Sequence, residues 1–301
     1  MVEIRHSVLR SIYSLQPFDI VGDAKIESMY SLDLTCVIPT FERWQDLDIV
    51  LNCLSMQNLP KERFEVIVVE DGNTNESTIC CARYQAHLNI HLLQTDGVRH
   101  CVGELRNKAL VCSKGEHLLF LDDDTRILQS NFLQILLDRF TLDPIVDCIQ
   151  ITGNADRCLL HEKYSYLDKF SFATRCVAYR RNCLVRIGGF IDSLKSYEDI
   201  EMSIRFILSG GTVYKEKGLL YYHPPLYFHS WDKTITNGLS FITLFKKYSF
   251  LPWLICYLNA IRFLPLLLSP SLQQRQWGKI SAGFLLAPFY RLFGENDKYY
   301  H

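Results

Sequence analysis

The amino-acid sequence predicts an α/β fold with a mostly parallel sheet flanked by helices. Short apolar runs rich in β-branched residues alternate with segments of helical periodicity, which is typical of a parallel sheet. The length of 301 residues, with 48% apolar and 22% charged residues, is sufficient for a large core and excludes a disordered or low-complexity chain. Polar clusters also follow directly after several of the apolar runs.

The predicted strands share a short apolar sequence that stops at polar or turn-forming residues. They are LDLTCVI (32–38), FEVIVV (64–69), IHLL (90–93), HLLFL (117–121) and IVDCIQI (145–151). Helices are predicted between them: one with Leu47, Leu51 and Leu54 on a single face, one over 103–113 and one near 130–140. The polar clusters 39–43, 70–73 and 122–125 therefore lie at carboxyl ends of strands, where parallel sheets bind ligands.

We expect three regions along the chain. Residues 1–30 are weakly patterned and predict an N-terminal arm, residues 31–232 carry the α/β domain, and residues 233–301 are a helical, apolar and basic C-terminal region. Within the domain, the alternation of predicted strands and helices becomes less regular after about residue 155. A Gly188-Gly189 turn there leads to a helix that starts at Tyr197-Glu198-Asp199.

Charge is divided unevenly between these regions. The whole chain has a net charge of −1, which excludes the global basic field of a nucleic-acid-binding protein. From Lys233 onward there are eight basic and two acidic residues, a net charge of +6, which leaves −7 for residues 1–232. An acidic body and a basic, apolar tail suggest different surroundings.

The most apolar window of the tail is FLPWLICYLNAIRFLPLLL (250–268). It contains Asn259, Arg262 and two prolines, and a central arginine costs about 2.5–3.5 kcal/mol on membrane-insertion scales. The composition favours a helical tail lying at a membrane surface over a membrane-spanning helix. A helical cap on the domain, or a contact between copies, stays open as an alternative.

The eleven cysteines are odd in number, have no C-x-x-C spacing and fall mostly in apolar runs. We expect them to be reduced and buried, as in a cytoplasmic protein. The first nineteen residues contain no sustained apolar stretch, so we expect no secretory signal there.

Three acidic clusters are candidates for chemistry. Asp122-Asp123-Asp124 follows a strand directly, and three adjacent carboxylates repel one another unless a cation such as Mg²⁺ or Mn²⁺ or several donors neutralise them. In an extended segment, Asp122 and Asp124 point one way and Asp123 the other. A solvated loop or a helix cap is the alternative interpretation.

The other two clusters also have two interpretations each. In Glu70-Asp71-Gly72-Asn73 an acidic side chain can accept a hydrogen bond from a nucleobase or a ribose, or the segment is a simple turn. In Glu198-Asp199 a carboxylate can act as a general base toward a hydroxyl nucleophile, or the pair caps a helix.

The order of these segments resembles the inverting glycosyltransferases of family 2, which have the GT-A fold. The resemblance runs from about Leu34 to Arg205, with a weaker extension to His229. Its pieces are CVIPTFER, VIVVEDGN, GELRNKAL, LLFLDDDT, RIGGFID and YEDIEMSIRF, all in the family's order. The family usually has Asp at the position of Glu70 and often Asn at that of Glu42.

The resemblance implies roles for individual residues. Asp122 and Asp124 match the family's D-x-D pair, whose last acid ligates the metal on the diphosphate, and Asp199 matches the catalytic base, with Glu198 beside it. The remaining substrate-binding candidates, near the nucleotide or the sugar, are Pro39, Thr40, Glu42, Asp71, Arg106 and Asp123. His229 is a candidate further ligand for Mn²⁺ or Mg²⁺, with His223 as its competitor.

We therefore expect a metal-dependent transfer of one sugar, because the Q-x-x-R-W motif of processive synthases is absent from the sequence. The resemblance implies a nucleoside-diphosphate sugar as the donor, with UDP as the default, and we expect a glycan or a lipid-linked glycan at a membrane surface as the acceptor. Peripheral association with the inner face of the cell membrane follows from the tail. A sugar nucleotidyltransferase or a non-catalytic nucleotide-sugar-binding protein remains an alternative.

Overall fold

The computed structural model describes residues 4–97, 99–155, 174–224 and 230–293. A seven-stranded sheet with the order β3-β2-β1-β4-β6-β5-β7 forms its centre. The strands are β1 (Leu32–Thr40), β2 (Phe64–Glu70), β3 (Ile90–Gln94), β4 (Gly115–Leu121), β5 (Cys148–Ala155), β6 (Cys176–Arg180) and β7 (Val213–His223). Of these seven, β6 alone runs antiparallel to its neighbours, which confirms the predicted mostly parallel sheet.

Helices cover both faces of this sheet. They are α1 (Ile4–Leu15), α2 (Trp44–Ser55), α3 (Asn75–Tyr84), α4 (Val102–Cys112), α5 (Phe132–Leu142), α6 (Arg181–Ile187), α7 (Glu198–Leu208), α8 (Asp232–Thr243), α9 (Phe250–Ile261) and α10 (Leu272–Phe293). Short 3₁₀ helices follow α8 and α9, at Leu244–Lys246 and Leu264–Leu268.

The strands are apolar throughout because each face of the sheet packs into its own core. In β1, Cys36 and Ile38 join the core formed with α2, α3 and α5, whereas Val37 joins the core on the other face. The second core also contains side chains of α4, α7 and the C-terminal helices, such as Phe284. Successive residues therefore pack on opposite faces, as expected of strands buried on both sides.

The boundaries of the predicted strands differ from the sequence prediction by one to four residues, and two of these differences have a clear cause. β1 continues through Pro39 to Thr40, because its pairing with β4 ends at Val37 and proline loses no ladder hydrogen bond on that side. β5 starts at Cys148 instead of residue 145, because Asp143 forms a turn in which it accepts a hydrogen bond from the Val146 amide.

The segment expected as an N-terminal arm contains α1, which packs on α7 and α9. Leu9 is buried in the core, and the Arg10 guanidinium donates hydrogen bonds to the carbonyl oxygens of Ile207 and Gly211, both at 2.7 Å. Arg10 thereby joins α1 to the C-terminal end of α7 and to the turn that follows it.

Most of the cysteines that the structure describes are buried, as predicted. Ten of them lie in the described residues, all as free thiols, and eight of the ten are buried. Burial raises the pKa of several of these thiols, among them Cys256 to about 12, so they stay protonated and behave as small apolar side chains.

Candidate active site

The predicted polar clusters meet at the carboxyl edge of the sheet. β1, β2 and β4 end side by side there, and hydrogen bonds join the segments that follow them. The Asp71 amide donates to the Thr40 carbonyl at 2.8 Å, and the Thr40 hydroxyl donates to Asp123 Oδ2 at 2.9 Å. Pro39 is buried in β1, where it sets the position of Thr40.

The triple aspartate divides its side chains as an extended segment would, although the segment forms a turn. The Thr125 amide donates to the Asp122 carbonyl at 3.0 Å and closes this turn. Asp122 and Asp124 both face His223, whereas Asp123 faces Thr40. Asp123 is buried, and burial raises its pKa to about 7 against the opposing effect of the neighbouring Arg43.

Asp122, Asp124 and His223 form the candidate metal centre. One ligand atom from each lies within 4.8 Å of the other two. His223 comes from the end of β7, which is held beside the acidic turn by reciprocal backbone hydrogen bonds between Arg126 and Tyr222 at 2.8 and 2.9 Å. Two carboxylates and an imidazole fit a divalent ion, and the nitrogen donor favours Mn²⁺ over Mg²⁺.

The same three groups interact strongly without an ion. His223 Nε2 lies 2.9 Å from Asp124 Oδ1 and 3.5 Å from Asp122 Oδ2. Although burial opposes it, the two carboxylates raise the pKa of His223 to about 9, and His223 in turn helps to hold the pKa of both carboxyl groups below its ordinary range. A protonated imidazole thus neutralises part of the acidic cluster.

The predicted metal ligand His229 lies outside the described residues, between the described segments 174–224 and 230–293. The sequence had named His223 as its competitor, and among the described residues His223 is the histidine beside the acidic pair.

Arg43 is a site residue that the sequence analysis missed. Its guanidinium donates to Asp123 Oδ1 at 2.8 Å and to Asp124 Oδ2 at 2.9 Å, and it also binds Asp46. Burial alone would lower the pKa of Arg43, but the carboxylates of Asp123 and Asp124 raise it above its ordinary value. The signal was present in the sequence, because Arg43 closes the polar cluster after β1.

Glu42 also lies at this edge but turns outward. It is exposed and has a φ of +52°, a conformation that is uncommon for residues other than glycine. Its side chain makes no hydrogen bond or ion pair within the described part of the chain.

Arg106 connects the acidic turn to α7. Its buried guanidinium donates to Glu198 Oε1 at 2.7 Å and to Asp122 Oδ1 at 2.9 Å. Burial and the neighbouring Asp199 raise the pKa of Glu198, against the opposing effect of Arg106. A single side chain from α4 therefore fixes the distance between β4 and the start of α7.

Asp199 lies at the same edge. Its carboxylate accepts hydrogen bonds from the amides of Ile200 at 2.7 Å and Thr174 at 3.3 Å, and it is partly exposed. The segment that begins at Thr174 also accepts a hydrogen bond from the Asp122 amide, at the Arg175 carbonyl and a distance of 3.4 Å. Asp199 and the acidic turn are therefore held by neighbouring residues of one segment.

Asp71 is bound by two residues that the sequence did not single out. Its Oδ1 lies 2.9 Å from His100 Nδ1 and 3.2 Å from the Thr95 hydroxyl, and the His100 amide donates to both carboxylate oxygens, at 3.0 and 3.2 Å. Because a carboxylate only accepts, His100 Nδ1 is the donor in this contact. The Asp71 side chain is only 5% exposed, so most of its surface is already covered.

Glu70, where the family usually has aspartate, has a structural role. It is fully buried and accepts hydrogen bonds from Gln94 Nε2 and the Ser77 hydroxyl, both at 2.8 Å, and from Thr74. Burial would raise the pKa of Glu70, but these hydrogen bonds lower it below its ordinary value. The longer side chain of glutamate thus holds the start of α3 against β2 and β3.

Known proteins of similar sequence and fold identify the family. The model of Glycosyl transferase family 2 matches residues 35–193, more than half of the chain. The poly(ribitol-phosphate) β-N-acetylglucosaminyltransferase TarS of Staphylococcus aureus is 32% identical over 96 residues. That match covers 32% of this chain and only 17% of the length of TarS.

Two solved structures share the fold. The mannosyltransferase PcManGT from Pyrobaculum calidifontis, in complex with GDP-Man and Mn²⁺, matches with a TM-score of 0.65 at 16% identity, covering 97% of this chain and 96% of the other. Residues 1–349 of TarS, in complex with UDP-GlcNAc, match with a TM-score of 0.59 at 20% identity, covering 89% and 75%.

The sequence left three functions open, and the family match supports one of them over the nucleotidyltransferase and the non-catalytic binding protein. The chain belongs to glycosyl transferase family 2 and has the GT-A fold.

Proposed function

We propose that this glycosyltransferase transfers a single sugar from a nucleoside-diphosphate sugar to an acceptor hydroxyl, with inversion and with the help of a divalent ion, in the synthesis of a surface glycan or polysaccharide. The observation that carries the proposal is the Arg106 bridge. It holds Asp122 of the candidate metal centre and Glu198, the neighbour of Asp199, on one guanidinium.

Asp122, Asp124 and His223 would hold the ion, Mn²⁺ or Mg²⁺, and His229 remains a proposed additional ligand. A bound divalent ion supplies Lewis-acid stabilisation for the negative charge that develops on the leaving diphosphate. Ion binding requires neutral His223, so the imidazole has to lose the proton that the two carboxylates stabilise. The Mn²⁺ complex of the structural neighbour PcManGT supports this assignment.

Asp199 is the proposed general base. Two backbone amides donate to its carboxylate, and the side chain keeps some exposure toward solvent, where an acceptor hydroxyl can approach. Glu198 is less suited to that task because Arg106 binds it directly and it is buried. We assign Glu198 to positioning Arg106. Thr40 and Asp123 would border the donor site, and the exposed Glu42 its rim.

The contacts of Asp71 support a pyrimidine nucleotide, with UDP as the first choice. Oδ1 already faces three donors, so Oδ2, with one amide contact, is the acceptor that remains for a base. Uracil presents one N–H between two carbonyl groups. Guanine presents two adjacent N–H donors, which match a carboxylate with both oxygens free.

Location and acceptor form the last part of the proposal. The free cysteines support a cytoplasmic protein, and the exposed apolar C-terminal helices support a peripheral position at the inner membrane face. A glycan or lipid-linked glycan acceptor is consistent with the relative TarS, which by its name acts on poly(ribitol phosphate).

The base and metal assignments are tested by two substitutions in one transfer assay. We expect Asp199→Asn to bind the donor normally in Mn²⁺ and to lower kcat by about 10² to 10⁴. Asp124→Asn should lose the part of donor affinity that depends on Mn²⁺, measured by titration calorimetry. Asp138→Asn, on the exposed side of α5, is the matched control. Wild-type transfer by Asp199→Asn would show that the base lies elsewhere.

The nucleotide assignment is tested by thermal shift in Mn²⁺. UDP should stabilise the protein more than GDP does, and a ligand at a hundredfold excess over Kd adds about 2.7 kcal/mol. In His100→Ala, Asp71 Oδ1 loses one of its two side-chain donors and Thr95 remains, so the preference for UDP over GDP should shrink. Binding of thymidine diphosphate distinguishes recognition of the base from recognition of the ribose. An equal or larger shift with GDP in the wild type would contradict the assignment.

A further inference from the structure

The C-terminal helices carry an apolar groove that the transfer chemistry does not use. The groove has a volume of about 380 Å³ and lies between α8, α9 and α10. Its lining includes Phe245, Trp253, Tyr257 and Leu292, with Lys246 and Arg291 at its margin. Phe245 is 51% exposed and Leu292 is 74% exposed, so this apolar surface is open to the surroundings. We call it the C-terminal groove.

Apolar surface continues beyond the groove. Phe250, 54% exposed, lies 6.3 Å from Phe245 between ring centroids, and Phe289 on α10 is 63% exposed. Of the segment Phe250–Leu268, only 17% is buried, so it is not the core helix of a water-soluble domain. Monomeric soluble proteins rarely leave so continuous an apolar surface in water, which indicates that something covers it.

Charge identifies what kind of partner fits. Residues 233–293 contain seven lysine or arginine residues and no aspartate or glutamate. Lys246 and Arg291 are exposed, and neither forms an ion pair with the described residues. A second copy of the chain would bring an equally basic surface against this one, and like charges repel. An anionic lipid surface offers both the apolar interior and the negative charge.

The length of α9 distinguishes a helix that lies on the membrane surface from one that crosses the membrane. By length and composition, Phe250–Leu268 is the one segment among the described residues that could cross a membrane. However, α9 has 12 residues and ends at Ile261, and a 3₁₀ helix follows from Leu264. Twelve helical residues reach about 18 Å, which is short of the roughly 30 Å apolar core of a bilayer.

We propose that the C-terminal groove and the neighbouring Phe250 and Phe289 insert into the surface of an anionic phospholipid bilayer, with Lys246 and Arg291 at the level of the lipid phosphates. This membrane contact holds in place the helices that support Asp199. The named residues and the lipid charge would account for the peripheral location of the protein. The link of the contact to catalysis rests on the proposed function.

An aromatic layer connects the groove to the base. Trp253 and Tyr257 stack on Phe241, with ring centroids 5.9 and 6.3 Å apart. Tyr197 packs edge-on against the other side of this layer, 5.9 Å from Phe241 and 5.2 Å from Phe284. Tyr197 has a φ of +71° and immediately precedes Glu198 and Asp199. The packing of its ring therefore holds a strained backbone at the start of α7.

The test is sedimentation of the purified full chain with vesicles. We expect binding to vesicles of phosphatidylcholine mixed with phosphatidylglycerol, no binding to phosphatidylcholine alone, and release at high salt. The pair Lys246→Gln and Arg291→Gln should weaken binding about 30-fold, from the usual contribution of a basic residue at an anionic surface. The pair Phe245→Ser and Leu292→Ser should weaken it at least as much.

Matched controls keep the test specific. Leu142→Ser on α5 is similarly exposed and Lys217→Gln lies on β7, so both should bind vesicles like the wild type. Circular dichroism checks that each variant is folded. Wild-type binding by both groove pairs would overturn the proposal, as would failure of the wild type to bind or a dimer that Phe245→Ser with Leu292→Ser dissolves.

The link to catalysis has its own measurement. Mixed vesicles should raise the transfer rate of the wild type but not of the groove pairs. Equal stimulation of both would overturn the link. If the chain transferred no sugar at all, the proposed function would fail while the vesicle binding would still stand or fall by itself.

Discussion

Two buried arginines, one at the carboxyl edge of the sheet and one on α7, place similar charges in different surroundings. Arg106 binds carboxylates from two other elements, Asp122 after β4 and Glu198 on α7. Arg205 binds Glu201, four residues earlier on its own helix, at 2.6 and 2.8 Å. Each arginine is only 3% exposed.

The difference lies in how completely each cluster satisfies its polar groups. Arg205 also donates to the carbonyls of Ile187 and Gly189, and the Tyr248 hydroxyl donates to Glu201 Oε1 at 2.8 Å. Arg106 Nε has no hydrogen-bond partner in the described structure. A closed network supports the fold, whereas a cluster with spare bonding capacity is suited to a ligand.

The largest expected effect breaks the closed network. Arg205→Met leaves the Glu201 carboxylate fully buried beside Tyr248 alone, so the free energy of unfolding should fall by about 3–5 kcal/mol. Urea denaturation followed by circular dichroism measures it. Arg83→Met removes an exposed pair with Asp48 and should leave the free energy of unfolding nearly unchanged. Equal losses for the two variants would mean that the buried network contributes no more to stability than an exposed ion pair does.

The next effect sharpens the role of the open cluster. Arg106→Lys keeps the charge but loses the planar fork that reaches Glu198 and Asp122 together. We expect the transfer kcat to fall about 10²-fold, since small misplacements of reacting groups have effects of that size. Mn²⁺ titration should show weaker binding as well, because Asp122 loses its support. Wild-type kcat in Arg106→Lys would mean that charge alone suffices.

The smallest effect trims the closed network without opening it. Tyr248→Phe removes one hydrogen bond from Glu201, which keeps both of its bonds from Arg205. We expect a loss of about 1 kcal/mol in the free energy of unfolding, seen as a modest drop in Tm. A loss as large as that of Arg205→Met would show that the hydrogen bond from Tyr248 matters as much to the buried Glu201 as the arginine does.

The sequence predicted the first half of the fold well because each strand there is a continuous apolar run followed at once by polar residues. It also predicted that Asp122 and Asp124 share one side, which the contacts with His223 confirm. β6 was missed: CVAYR is only five residues long, and no local signal marks an antiparallel strand inserted between β4 and β5.

The missed site residues were missed for a related reason. Arg43 and His100 reach their carboxylates across loops, from 80 and 29 residues away along the chain. Pairing at such separations is decided by the packing of the sheet and leaves no periodic pattern in the sequence. The family resemblance identified the acidic residues because their order along the chain matches the order of the family's motifs. It did not indicate which basic groups would neutralise them.

The position of His223 at the end of the last strand has a consequence for how the protein matures. As the chain leaves the ribosome, Asp122 and Asp124 emerge almost a hundred residues before the imidazole that lies between them. Contacts that close such long loops form late in folding. A nascent chain that stops short of β7 has the acidic turn without its histidine. The complete candidate metal centre therefore exists only after β7 has been synthesised.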